Sequence, residues 1–291
     1  MICNLCPRKC NADRTENENL NGFCKMPLLP KAARADLHLW EEPVISGTNG
    51  SGTVFFSGCS LSCVFCQNYG VSHESLGKTV SYERLAEIFK ELEEKSAHNI
   101  NLVTPSHYVY AIKKALDIYK PKVPIVYNSS GYDSVESLKM LEGYVDIFLM
   151  DLKYLSEDRA LLYSNAKDYP SVAKNAIKEA LRQQPECVIE NGLMKKGVII
   201  RHLLLPQGTK EAMNIFDWVK ENAENAYFSI MSQYIPFGKA KDMPPINRPV
   251  TKREYEKVVD YISEQDFQNV FIQERSSSDL KYIPNFDMRG V

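Results

Sequence analysis

From residue 52 onward the chain repeats a single alternation. Short runs rich in β-branched and aromatic residues are each followed by a run whose apolar residues recur at helical spacing. The strand candidates are "TVFFS" (53–57), "NINLV" (99–103), "VPIVYN" (123–128), "YVDIFLMDLKY" (144–154), "GVIIRHLLLP" (197–206), "AYFSIMSQY" (226–234) and a closing "NVFIQ" (269–273). In the first intervening run Leu85, Ile88, Phe89 and Leu92 fall at i, i+3, i+4 and i+7, which predicts a helix with one buried face. Asp133 with Glu136, and Thr251 with Glu254, read as capping boxes; Thr209 reads as an N-cap, and Pro170 suits a first helical turn. Six strand–helix units plus a last strand predict an α/β fold with a parallel sheet covered by helices. The period alone leaves an open doubly wound sheet and a partial barrel both available.

Residues 1–50 follow another rule. They carry four of the eight cysteines and the "MPLLP" stretch, with no long period apart from "KAARADLHLW". We expect a small cysteine-rich metal-binding N-terminal extension over 1–50, a barrel domain over 51–275 and a C-terminal tail over 276–291. The glycine-rich "SGTNGSG" (46–52) precedes a strand instead of following one, so it reads as a connector and not as a dinucleotide loop. Of 291 residues, 35 are Lys or Arg and 37 are Asp or Glu, a formal charge of −2, which argues against nucleic acid or a membrane surface as the partner. No apolar run is long enough to span a bilayer, and "MICNLCPRKC" lacks the apolar core of a secretory signal, so a reducing cytoplasm is the expected location. Clustered cysteines in that setting indicate metal ligation; Cys187, alone before an apolar run, reads as a core residue.

The loop "GCSLSCVFCQN" places Cys59, Cys63 and Cys66 directly after the first strand, where a parallel α/β fold puts its chemistry. Three thiolates at this spacing can hold a 4Fe–4S cube with one iron left without a protein ligand. A structural zinc would want a fourth ligand, from His73 or from the N-terminal cysteines.

This loop resembles the signature of the radical S-adenosylmethionine (radical SAM) superfamily, Cys-x3-Cys-x-aromatic-Cys, with Phe65 as the aromatic residue. The resemblance implies a partial (β/α)6 TIM-like barrel, a 4Fe–4S cluster on Cys59, Cys63 and Cys66, and S-adenosyl-L-methionine chelating the open iron. It also implies reductive cleavage to a 5′-deoxyadenosyl radical that abstracts a hydrogen atom. The extended "SGTVFFSGCSLSCVFCQNYGVS", taken with "CNLCPRKC…GFC", is similar to a branch related to the pyruvate formate-lyase-activating enzymes, for which a protein glycine would be the hydrogen source. Another peptide, a small metabolite, or a non-catalytic electron-transfer or redox-sensing role are the alternatives. A reductant such as flavodoxin or ferredoxin is the implied partner.

Further positions follow from the resemblance. Thr104 and Ser106 stand where the family has a Gly-Gly-Glu turn, so their hydroxyls would replace its contacts to the cofactor. "NSSG" puts Asn128 and Ser130 at an Asp-Thr-Asn-Gly turn, with Asn128 in place of the acid. Asp151 and Lys153 match an Asp-x-Lys motif in which Lys153 meets the methionine carboxylate. Arg201 and His202 match an Arg-His pair; they face opposite sides of a strand, and His202 is the one expected to point inward. An exposed ion pair would explain Asp151 and Lys153 as well, but "IFLMDL" reads as buried on both faces, and buried charges need partners. Cys3, Cys6, Cys10 and Cys24 form a complete four-thiol set, either an auxiliary 4Fe–4S cluster or a structural zinc site.

Overall fold

A computed structural model describes residues 2–17, 21–273 and 284–291. In chain order the elements are β1 (Ile2–Cys3), β2 (Ala12–Asp13), β3 (Lys31–His38), α1 (Pro43–Ser46), β4 (Ser51–Phe56), α2 (Tyr69–Ser72), β5 (Lys78–Thr79), α3 (Tyr82–Glu94), β6 (Ile100–Val103), α4 (Val109–Ile118) and β7 (Ile125–Ser129). Then follow α5 (Val135–Met140), β8 (Ile147–Asp151), α6 (Glu157–Ser164), α7 (Tyr169–Gln183), β9 (Val188–Glu190), β10 (Leu193–Leu203), α8 (Thr209–Asn222), β11 (Tyr227–Met231), α9 (Lys252–Ser263) and β12 (Val270–Ile272).

Each strand expected beyond residue 52 is present, and all seven are parallel, in the sequential order β4-β6-β7-β8-β10-β11-β12. Sequential order without a reversal is what a doubly wound sheet lacks and a barrel wall has. The longer helices form an outer layer: α3 packs on α4, α4 on α5, α5 on α7 and α8 on α9. The side-chain alternation of each strand agrees. Tyr127, Phe148, Met150 and Ile200 enter the large core under the helices, while Val126, Ile147, Leu149 and Ile199 pack with Ile45 of α1 on the other face. The wall is a partial barrel: among the described residues β12 forms one edge, and β3 with β5 the other.

The local signals explain most helix starts. Ser81 accepts a hydrogen bond from Arg84 N at 3.1 Å, and Leu85, Ile88, Phe89 and Leu92 of α3 are buried, each worth about 1.5–3 kcal/mol. Thr251 and Glu254 form the expected capping box of α9, and Pro170 sits in the first turn of α7. Two starts differ. Ser134, not Asp133, caps α5, because the Asp133 carboxylate is taken inward by Tyr127 Oη and Ser129 Oγ, both at 2.6 Å. Gly208 occupies the N-cap of α8, and Thr209 is already helical.

The first fifty residues are not confined to a cap. β3 runs antiparallel beside β4 and so joins the main sheet, and α1 lies against β10 on the inner face. Beyond β12 the tail expected from residue 276 lies partly outside the described residues. Where it is described, it continues the ladder on β3 through Ala35 N to Arg289 O (2.8 Å) and Met288 N to Ala33 O (3.0 Å). Among the described residues no helix is long and apolar enough to cross a membrane.

Candidate active site

The chain turns out of β4 through Gly58, whose φ is +78°; a Cβ there would sit 2.4 Å from Met26 Cγ. The loop that follows brings Cys59, Cys63 and Cys66 beneath the C-terminal ends of the strands. Leu61 N donates to Cys59 Sγ at 3.3 Å, Ser164 Oγ lies 3.0 Å from Cys63 Sγ, and Ser72 Oγ lies 3.1 Å from Cys66 Sγ. Burial pushes all three thiols up, Cys66 to about 11, and repulsion from Cys63 adds to this at Cys59 and Cys66. Lys153 acts in the opposite direction on each. Thiols so desolvated ionise only when strong positive charge lies among them, and a soft, sulfur-only donor set with hydroxyl and amide donors around it fits an iron–sulfur group. Among the described residues no three His, Cys, Asp or Glu side chains are drawn together around a single metal ion.

Cys63, Phe65 and Cys66 line a cavity of about 280 Å³ whose other wall is the inner face of the sheet: Phe55, Val103, Asn128, Asp151, Lys153, Arg201, Leu203 and Met231. Phe65 meets Tyr234 edge to face at 5.8 Å. Opposite it lies a buried charge network. Asp151 accepts from Lys153 Nζ at 2.6 Å and from Arg201 Nε at 2.9 Å. Arg201 also donates from Nη2 to Asn128 Oδ1 (2.8 Å) and from Nη1 to Glu41 Oε2 (3.3 Å). Glu41 Oε1 in turn accepts from Asn101 and Asn128, both at 3.1 Å. Burial would raise the Asp151 carboxyl, but Arg201 and Lys153 outweigh it and hold it below the usual range. Two carboxylates and two cations balance, so the desolvated charges compensate one another.

The register decides which residue of the Arg-His pair takes part. Arg201 pairs with Asp151 across β10 and β8 and shares its face. His202 faces the helix layer, with Nδ1 2.8 Å from Leu152 O, so the expectation that His202 points inward is reversed. Thr104 holds φ +61° and donates its N–H to Asn128 O at 2.9 Å, outside the cavity lining. Ser106 is buried in hydrogen bonds with Tyr127 and Asp133, and Ser130 meets its surroundings through its carbonyl, which accepts from Tyr169 Oη at 2.8 Å. Glu41 is missed by sequence reasoning because it lies in an irregular stretch between β3 and α1 with no motif around it. Its neighbour Glu42 is buried, and burial raises its carboxyl; Oε1 accepts from Ser229 Oγ at 2.8 Å. Glu42 lines a second cavity of about 610 Å³ with Leu39, Phe271 and Ile272, which shares Trp40, Glu41 and Gln233 with the first.

Cys3, Cys6, Cys10 and Cys24 lie close enough that Cys3, Cys10 and Cys24 each oppose ionisation of Cys6, which burial and this repulsion push up to about 12. All eight cysteines are free thiols.

The sequence profile of the radical SAM superfamily matches residues 53–219, more than half of the chain. The uncharacterized protein MJ0674 of Methanocaldococcus jannaschii is 31% identical over 281 residues, covering 92% of this chain and 76% of that protein. Among solved structures, Streptococcus suis SuiB bound to S-adenosylmethionine superposes with a TM-score of 0.53 at 15% identity, over 75% of this chain and 48% of SuiB. SuiB bound to the precursor peptide SuiA gives a TM-score of 0.52 at 13% identity, over 75% and 47%. This chain therefore spans about half the length of SuiB, and at such identity the likeness is one of fold. With the signature loop at the mouth of a parallel partial barrel, the profile match and the relative leave one assignment: the chain belongs to the radical SAM superfamily.

Proposed function

We propose that the protein generates a radical in the Cys59–Cys63–Cys66 cavity and abstracts a hydrogen atom from a polypeptide. The observation that carries this reading is the pairing, across one cavity, of a buried three-thiol loop with the Asp151–Lys153–Arg201 network. The bound cofactors, a 4Fe–4S cluster and S-adenosyl-L-methionine, would supply a 5′-deoxyadenosyl radical by one-electron cleavage of the sulfonium. The chain's own groups position and shield. Lys153 offers a point cation to a carboxylate, with Asp151 holding its ammonium in place. Arg201, fixed by Asn128 and Glu41, keeps Asp151 ionised beside it. Phe65, Phe55, Val103 and Leu203 exclude water, which protects a reactive radical from quenching. Asn128, near the C-terminal end of β7, presents an amide to the same space. His202, Thr104, Ser106 and Ser130 act on this reading through backbone and neighbouring side chains.

A polypeptide is favoured over a small metabolite by the second cavity. It continues the first along the edge strand β12, past Glu42 and the 58%-exposed Trp40. A groove beside an edge strand suits an extended chain, and the fold neighbour SuiB has been captured with a precursor peptide. The similarity to activating enzymes makes a glycine one target within such a chain. The four N-terminal cysteines hold a second metal site on this proposal, and a low-potential one-electron carrier supplies the reductant.

Anaerobic reconstitution followed by dithionite and S-adenosylmethionine should release 5′-deoxyadenosine, and Cys63→Ala should release less than about one hundredth as much. Unchanged release from that variant would overturn the reading. An extract from cells grown in deuterated medium, dialysed into polypeptide and metabolite fractions, tests the substrate. Deuterium should enter 5′-deoxyadenosine from the polypeptide fraction; transfer from the metabolite fraction alone would refute a polypeptide substrate.

A further inference from the structure

We infer that Cys3, Cys6, Cys10 and Cys24 bind an iron–sulfur cluster that relays single electrons into the Cys59–Cys63–Cys66 loop. The inference rests on the proposed role of that loop and assigns the second thiol set a function of its own.

The first observation is contact. The two thiol sets, separated by 34 residues of chain between Cys24 and Cys59, meet at a shared backbone. Gly58, immediately before Cys59, lies against Cys24: a Cβ at Gly58 would sit 3.1 Å from Cys24 O. Arg8, between Cys6 and Cys10, donates from Nε to Ser60 O at 2.7 Å, immediately after Cys59, and from Nη1 to Asn165 O at 2.6 Å. The N-terminal end of α5 clasps the same segment, with Ser134 Oγ (3.1 Å) and Ser137 Oγ (2.5 Å) both donating to Leu5 O. One van der Waals contact and two residue lengths put Cys24 and Cys59 on the order of 10 Å apart. A group on one set is then within electron-tunnelling reach of a group on the other.

The second observation is charge. Arg14 is fully buried, with Nη1 3.4 Å from Cys3 Sγ and 2.9 Å from His107 O, and Nη2 2.5 Å from Pro27 O. A four-thiolate cluster gains one further negative charge each time it is reduced, and a fixed guanidinium against a ligand sulfur moderates that change.

The third is spacing. Four-cysteine zinc sites commonly join two Cys-x2-Cys halves. Here only Cys3 and Cys6 make such a half, and Cys10 and Cys24 are separate positions with thirteen residues between them, which suits a body larger than one ion. Cys10 is half-buried, so the set reaches towards solvent while Cys3 and Cys6 lie inside. The step moves one electron: a low-potential iron–sulfur or flavin protein is oxidised, the N-terminal cluster is reduced, and the same electron passes to the second cluster. No atom or proton changes place.

The test uses the full chain, reconstituted anaerobically, as wild type, as Cys59→Ala/Cys63→Ala/Cys66→Ala, and as Cys3→Ala/Cys6→Ala/Cys10→Ala/Cys24→Ala. Wild type should bind about eight irons and eight sulfides, and each variant about four. The first variant should retain a reduced-cluster electron paramagnetic resonance signal that S-adenosylmethionine leaves unchanged. Doubly reduced wild type should show dipolar broadening absent from both variants. One zinc without sulfide in the first variant, or no metal there, would overturn the inference while leaving the radical site standing. Loss of the S-adenosylmethionine-sensitive signal from wild type would sink the radical site instead. With a stoichiometric photoreduced flavin protein as donor, the signature cluster in the second variant should reduce at least tenfold more slowly than in wild type, while dithionite reduces both; equal rates would refute the relay. Should the second variant fail to fold, the metal content of the first and the broadening in wild type decide the cluster and its proximity.

Discussion

At the scale of single residues, His107 and His202 are the two deeply buried histidines that make this fold sensitive to acid, and burial shifts His38 and His73 in the same direction. Each ring nitrogen that faces the backbone meets a carbonyl: Nε2 of His107 lies 2.7 Å from Ser57 O, and Nδ1 of His202 lies 2.8 Å from Leu152 O. Burial, as the leading cause, holds His107 down to about 3 and His202 to about 4, against an ordinary 6.5. Both stay neutral in the fold while the unfolded chain takes up protons below pH 6.5. Their contribution is therefore complete above that pH and lost as the pH falls towards 4, at about 1.4 kcal/mol per pH unit for each. His202→Gln should flatten the decline in urea-unfolding free energy between pH 6.5 and 4; a slope equal to that of wild type would show that this ring is not the sensor. Position 202 also marks the limit of motif reading. The Arg-His pair was legible, but which member faces the cavity depends on strand register against Asp151, and that is a long-range pairing no local pattern contains.

Among the elements, α5 separates two roles that look alike in sequence. Ser134 supplies the cap, accepting from Ser137 N at 3.2 Å, while Asp133 serves as the buried acceptor for Tyr127, Ser129 and Ser106. Ser134→Ala should cost about 1 kcal/mol. Asp133→Ala leaves several buried hydroxyls without their acceptor and should cost about 3 kcal/mol, read by urea unfolding; the reverse order would contradict this division. The seven parallel strands and the long helices were legible because each carries its own period. β3 was not. Its "KAARADLH" alternates weakly and reads as helical, and only the open side of β4 makes it a strand. The cysteine loop was legible for the opposite reason, since its spacing alone encodes the ligand geometry. Glu41 has neither period nor motif, and the three side chains it joins come from β6, β7 and β10.

Across the whole molecule, the two ends of the chain complete one edge of the sheet. The tail docks on β3 through Gly290, at φ +76°, where a Cβ would lie 2.0 Å from Ala35 O. Gly143 has a similar φ of +82° with nothing within 4 Å. Both Gly→Ala changes incur the strain of a positive φ, about 1 kcal/mol, but only Gly290→Ala also forces the tail off the sheet. Its melting temperature should fall further than that of Gly143→Ala, and equal shifts would show that the tail contributes nothing to the edge.

The bond between Glu41 and Arg201 joins residues 160 positions apart. On a ribosome the carboxylate emerges long before this partner, and until β10 has been made only the amides of Asn101 and Asn128 are there to meet it. The charge network of the cavity is therefore complete only once Arg201 has joined a residue made far earlier in the chain.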